Sequence, residues 1–225
     1  FQFILLLVVV DQSNSQNVCP DSKIPQVERE TILRRHNLLR YLISDGNYRA
    51  KDTVLPPAKE PIPDVSWDCD LEKSAQLHAD KCRLEHSSKG FLDNHNIGEN
   101  LWQLTTTAFV DLDGKGLLAT RGWESEFQKF GINSTRIDQS MNLIFHAIQM
   151  AWDRSTILGC GMTCCDNHKR VLVVCHYNEP GNFINEHFYQ KAEDTDFVPV
   201  DPLEPGQIVE NGLPESEANS IQEVN

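Results

Sequence analysis

The sequence predicts a mixed α+β domain braced by disulfides. Three observations carry that reading. Three separate stretches show apolar residues at helical spacing. The second half of the chain holds alternating or β-branched runs. Seven cysteines follow an apolar leader.

The leader is FILLLVVV at residues 3–10, followed by polar Asp11 to Asn17. Eight apolar residues cannot span a bilayer, which takes about 20. The run fits the apolar part of a secretory signal peptide, so residues 1–16 are expected to be its remnant. Export places the chain outside the cell, in an oxidising compartment. The cysteines at 19, 69, 82, 160, 164, 165 and 175 then read as a disulfide framework with one thiol left over. Matched C-x-x-C knuckles for structural zinc are missing.

The first helix is expected over Glu28–Ile43. Ile32, His36, Leu39 and Ile43 share a face, while Arg34, Arg35 and Arg40 fall largely off it. Asn37 sits inside this helix, and a buried Asn needs partners, so it is expected to tie the helix to a loop. Four prolines within Leu55–Pro63 make an irregular connector. The second helix, Asp68–Cys82, has Asp68 as its cap and Leu71, Ala75, His78, Ala79 and Cys82 inward. Residues 84–96 read as a polar loop carrying His86 and His95, followed by Gly98-Glu99-Asn100-Leu101-Trp102. Residues 105–114 are loop-like, and Lys115–Phe130 is the third helix. There Glu126 lies one turn from both Trp123 and Phe130, against the protein body, where a Glu needs a partner.

Gly131–Asn142 is a loop with the sequon Asn133-Ser134-Thr135, an N-glycosylation acceptor in a secreted chain. Phe145 to Trp152 alternates as a half-buried strand does, with His146, Ile148, Met150 and Trp152 on one face. On that pattern alone His146 reads as a core histidine with a hydrogen-bond partner. Thr156–Gly159 is a second short strand, and Val171–Tyr177 is the clearest one, rich in Val. The linker after Gly161 suits a hairpin, which would set Cys160 beside Cys175 on antiparallel strands. One domain over residues 20–192 results. From Glu193 the chain is rich in Pro, Glu and Asp, and 193–225 is expected to be a disordered acidic tail. Residues 192–225 hold nine carboxylates and no Lys or Arg. The net charge of −13 therefore belongs mostly to that tail. With no basic patch, nucleic acid is not an expected partner.

Four separated pieces carry a resemblance: RHNLLR, HSSKG…GENLW, FHAIQMAW…LGCG and VCHYNEPGNF. In order and spacing the chain resembles the CAP superfamily of cysteine-rich secretory, antigen 5 and pathogenesis-related proteins. Within it the chain is most similar to the activation-associated secreted and venom-allergen-like proteins of nematodes. The resemblance implies an α-β-α sandwich, with a small, mainly antiparallel sheet between helical layers. It implies a bridge between Cys160 and Cys175. It also implies a cleft tetrad of His86, Glu99, Glu126 and His146, which makes His146 a cleft residue. The run Phe145-His146-Ala147-Ile148-Gln149 departs from the G-H-Y-T-Q common in the family, so the cleft floor is expected to be more apolar.

His86 and His146 could ligate a divalent metal such as zinc, with the glutamates orienting them. No catalytic residue is assigned. Ser87 is the nearest nucleophile candidate but lacks an evident base, and there is no Gly-x-Ser-x-Gly elbow. The leading expectation is a secreted, non-catalytic recognition protein acting between parasite and host, on a host protein or cell-surface receptor. Extracellular sterol or fatty-acid transport is a second reading. The loop expected to serve it, Gln103–Ala119, has Phe109 as its one aromatic residue. A zinc-assisted hydrolase is a third.

Overall fold

The computed structural model describes residues 19–203. The segment expected to be a signal-peptide remnant and the end of the acidic tail lie outside the described residues.

The long first helix, α1 (Gln26–Ser44), buries Ile32, His36, Leu39 and Ile43 as its spacing required. It also buries Arg35 and Arg40, which the sequence placed off the inner face. Each has a reason. Arg35 pairs with the buried Glu124 of a neighbouring helix. Arg40 donates to the carbonyls of Pro63, Met150 and Trp152 at 2.7–3.0 Å. Burial lowers its pKa to about 10, still high enough to stay charged. Asn37 does tie the helix to a loop: it grips both backbone groups of Val65, accepting at 2.9 Å and donating at 3.1 Å.

Two short strands follow, β1 (Thr53–Val54) and β2 (Ser66–Trp67). Helix α2 (Cys69–Ala79) starts at Asp68, whose carboxylate accepts from Leu71 N at 2.7 Å. The stretch expected as a loop at 84–96 contains a short helix, α3 (Lys89–His95), capped by Ser88. Strand β3 is Gly98–Thr105, and α4 is Lys115–Phe130, with the bounds the sequence predicted.

The largest difference lies in the stretch expected as a strand. Gln139–Ile144 is a 3-10 turn and Phe145–Ala151 is a helix, α5. The alternation that suggested a strand is also compatible with a helix: Ile144, Ala147, Ile148 and Ala151 are all buried at helical spacing. Strand β4 (Ile157–Cys165) and strand β5 (Arg170–Asn178) then form the hairpin, each longer than its apolar run.

The main sheet has the order β2-β4-β5-β3, antiparallel except for β2 beside β4. Helix α2 covers one face; α1, α4 and α5 pack on the other. The chain is thus an α-β-α sandwich. Strand β5 is buried on both faces, which explains its unbroken apolar run. Val171, Val173, Cys175 and Tyr177 enter the larger core, while Leu172 and Val174 face α2. Helix α2 lies flush on β4 because Gly159 and Gly161 have no side chains. A Cβ at Gly161 would sit 2.3 Å from the backbone of Gln76. Gln76 completes the seam, exchanging two 3.0 Å bonds with the backbone of Met162.

Three disulfides lock these layers: Cys19–Cys69, Cys82–Cys165 and Cys160–Cys175. The last joins directly opposed residues of β4 and β5, as the resemblance implied. Cys164 keeps the free thiol. The domain also extends past residue 192. Residues expected to begin the tail lie on the body, where β6 (Val198–Pro199) pairs with β1 and Leu203 is buried.

Candidate functional site

Two carboxylate–imidazole pairs form at the open end of the sandwich. The first joins β3 to the 83–88 loop. Glu99 Oε1 accepts from His86 Nδ1 at 2.9 Å and from Ser87 N at 2.8 Å. The second joins α4 to α5. Glu126 Oε1 accepts from His146 Nδ1 at 2.6 Å. Its Oε2 accepts from the main-chain N–H of His146 and Ala147, both at 3.1 Å, and so caps α5. Trp123, one turn before Glu126, stacks its indole at 6.4 Å from the His146 ring. Because an ionised carboxylate only accepts, each imidazole donates through Nδ1 and keeps Nε2 for a ligand. Both histidine side chains are open to solvent, His86 by 60 % and His146 by 37 %.

Glu99 has more partners than the sequence suggested. Its Oε2 also accepts from His176 Nε2 at 2.9 Å and from Ser87 Oγ at 2.7 Å. Burial alone would raise its pKa. The hydrogen bonds from His176, His86 and Ser87 outweigh that and hold the carboxyl well below the usual range. In return, the bond to Glu99 raises the pKa of His86. Behind this pair lies a second layer. His176 Nδ1 meets Ser74 Oγ at 3.1 Å, and His78 Nδ1 meets Ser87 Oγ at 3.0 Å. His78 and His176 were missed as site residues. The signals were present: His78 lies on the inward stripe of α2, and His176 stands opposite Glu99 in the strand register. Ser87 neighbours His78 but is drawn to the Glu99 carboxylate, so its hydroxyl serves to fix Glu99.

Of the four expected residues, His86 and Glu99 border one opening. This opening, of about 340 Å3, is also lined by Gln149, Gly181 and Asn182. Gln149 and Asn182 connect the two halves. Gln149, one turn after His146, accepts from Gly181 N at 2.8 Å and donates to Ser155 Oγ at 2.9 Å. Asn182 donates to the carbonyl of Phe145 at 3.0 Å. A Cβ at Gly98 would meet Gln149 Oε1 at 2.3 Å, so the glycine of GEN makes room for the glutamine of FHAIQ. A polar chain through the core fixes the other side of α5. Asn100 donates to His146 O at 3.1 Å and to Tyr177 Oη at 3.2 Å. Tyr177 in turn donates to His36 Nε2 at 2.9 Å.

For a metal, the donor set is two oriented imidazoles. Among the described residues no group of three or more His, Cys, Asp or Glu is placed to hold an ion. The loop expected for lipid, Gln103–Ala119, splits between β3, a docked turn and α4. Its Phe109 is exposed and stacks on His168 at 4.5 Å. No described helix is long and apolar enough to cross a membrane.

This sandwich, its disulfides and the four motif pieces define a CAP domain. The chain belongs to the cysteine-rich secretory protein (CAP) family, whose profile matches residues 33–177. It is venom-allergen-like. It is 30 % identical over 180 residues to venom allergen 5 of Vespa magnifica, covering 78 % of this chain and 77 % of that protein. Venom allergen 5 of Vespula vidua is 29 % identical over 171 residues, covering 75 % and 82 %. Among solved structures, BmVAL-1 superposes with a TM-score of 0.72 at 28 % identity, covering 79 % of this chain and 89 % of its own. NaASP2, solved with Zn2+, gives 0.69 at 27 %, covering 78 % and 92 %.

Proposed function

We propose that this chain is a secreted, non-catalytic recognition protein of the venom-allergen-like type, acting on a host protein or cell-surface receptor. Its His86 and His146 would serve as ligands for a divalent metal such as zinc. The observation that carries the metal reading is the matched orientation of the two imidazoles. Each is held through Nδ1 by its own glutamate, the arrangement that fixes the tautomer and raises the basicity of a metal-binding histidine. That NaASP2 was solved with Zn2+ supports the same choice of ion. The reading as non-catalytic rests on Ser87, whose hydroxyl is engaged by Glu99.

Extracellular placement rests on the three disulfides. Asn133 is exposed in an irregular loop, as a glycosylated Asn must be, while Thr135 of the same sequon is buried.

The test is calorimetry with zinc on wild type and on the His86→Ala/His146→Ala double variant. Binding lost in the variant supports the metal site; equal heats in both remove it. Zinc-dependent peptide cleavage that disappears in the same variant would replace recognition with hydrolysis.

A further inference from the structure

A hollow larger than the 340 Å3 opening lies on the α2 side of His86. Helix α2, the 83–88 loop and α3 enclose about 800 Å3 there, within the usual range for small-molecule sites of about 300–1,000 Å3. One stripe of α2 forms its long wall, with Lys73, Ser74, Leu77 and His78 along one face and Lys81 just past the helix end. Phe91 of α3 lines the same space.

Three properties of this wall need explaining. Leu77 is 63 % exposed at its centre, an aliphatic side chain with no cover. Lys73 lies one turn before it on α2, and Lys81 follows it just past the helix end at Ala79. Neither lysine has a carboxylate partner among the described residues. Lys81 Nζ instead lies 3.2 Å from His78 Nδ1, a contact that leaves its charge uncompensated. Two carboxylates also border the hollow. Glu85 faces Arg83 at 3.6 Å, and Asp70 lies one turn before Lys73.

We propose that this hollow binds a small anionic amphiphile. Its sulfate, sulfonate, phosphate or carboxylate group is held by Lys73 and Lys81, and its apolar body rests on Leu77 and Phe91. An uncompensated pair of flexible cations can fold toward an anion between them, and their aliphatic stems add to the apolar surface. The site is separate from the loop Gln103–Ala119, and it uses neither carboxylate of the two histidine pairs.

The test uses the full chain and the fluorescent probe 1-anilinonaphthalene-8-sulfonate, with near-ultraviolet circular dichroism to confirm native packing. Saturable enhancement at one site is expected. Decyl sulfate should displace the probe and decyl maltoside should not, both below their micellar concentrations. Lys73→Gln/Lys81→Gln should raise the apparent Kd about tenfold or more, the loss expected for one charge-assisted contact. Leu77→Ser should weaken binding as well. Both lysines are exposed, so the variants are expected to fold. No saturable signal, equal displacement by the neutral detergent, or unchanged affinity in the lysine variant would overturn the proposal. Zinc calorimetry on the lysine variant should match wild type, so this site and the metal site stand or fall separately.

Discussion

Glu126 holds His146 at two points, the ring nitrogen Nδ1 at 2.6 Å and the main-chain N–H at 3.1 Å, and accepts from Ala147 N at 3.1 Å as well. One carboxylate therefore sets the tautomer of the imidazole and closes the helix that carries it. Glu126→Gln keeps the size but loses the charge and turns one acceptor into a donor. Zinc affinity is expected to fall about 10–100-fold, the usual effect of losing an orienting partner. Stability should fall by about 1–3 kcal/mol, since charge-assisted bonds to a helix end are lost. Calorimetry and urea unfolding check the two separately.

Two glycines should respond in opposite ways. Gly161→Ala puts a Cβ 2.3 Å from the backbone of Gln76, so α2 must lift from β4. A loss of about 1–3 kcal/mol or more is expected from overpacking. Gly90 lies in α3 with nothing within 4 Å of an added Cβ. Gly90→Ala should gain about 0.5–1 kcal/mol through helix propensity. Paired denaturation curves decide both.

His36 is wholly buried. Its Nδ1–H donates to Ile32 O at 2.8 Å, and its Nε2 accepts from Tyr177. Burial, with Arg40 and Arg35 nearby, pulls its pKa from 6.5 down to about 3. Since the unfolded chain takes up the proton first, His36 contributes fully above about pH 6.5. That contribution is lost as pH falls toward 3, at about 1.4 kcal/mol per pH unit. His36→Gln should flatten the stability profile by this one-proton slope between pH 6 and about 4. Urea midpoints measured across that window give the result.

The disulfides close loops of different length, with separations of 83 residues for Cys82–Cys165 and 15 for Cys160–Cys175. Paired Cys→Ser changes should cost about 4.6 kcal/mol for the long loop and about 3 kcal/mol for the short one. Native protein should titrate one thiol, slowly near neutral pH, because burial and Asp111 raise the pKa of Cys164. Cys164→Ser should remove that signal.

Much of the fold was legible because local rules and packing agreed. Helix α4 combines helical apolar spacing with clear ends. Asp68 caps α2, and Asn37 found the loop partner that its burial demanded. The stretch at 145–152 was misread because its apolar residues satisfy two periods. The choice is made by Glu126, which caps the helix from another element 20 residues earlier. Helix α3, capped by Ser88, is too short to show a period and was read as loop. At the site, the resemblance named His86, Glu99, Glu126 and His146 by motif position but not which Glu holds which His. The additional bond from His176 to Glu99 depends on strand register, which one strand's sequence does not display.

The docking of residues 193–203 matters for anyone cutting the chain. Val200 N and Leu203 N donate to the carbonyls of Asp52 and Lys51, at 2.9 and 2.8 Å, and Val198 closes the edge of Val54. An expression fragment stopped at residue 192, the domain end expected from the sequence, would strip this cover. It would leave a bare strand margin free to stick to its neighbours. A fragment carried through Leu203 keeps the margin sealed, and the better solubility of the longer piece would show it.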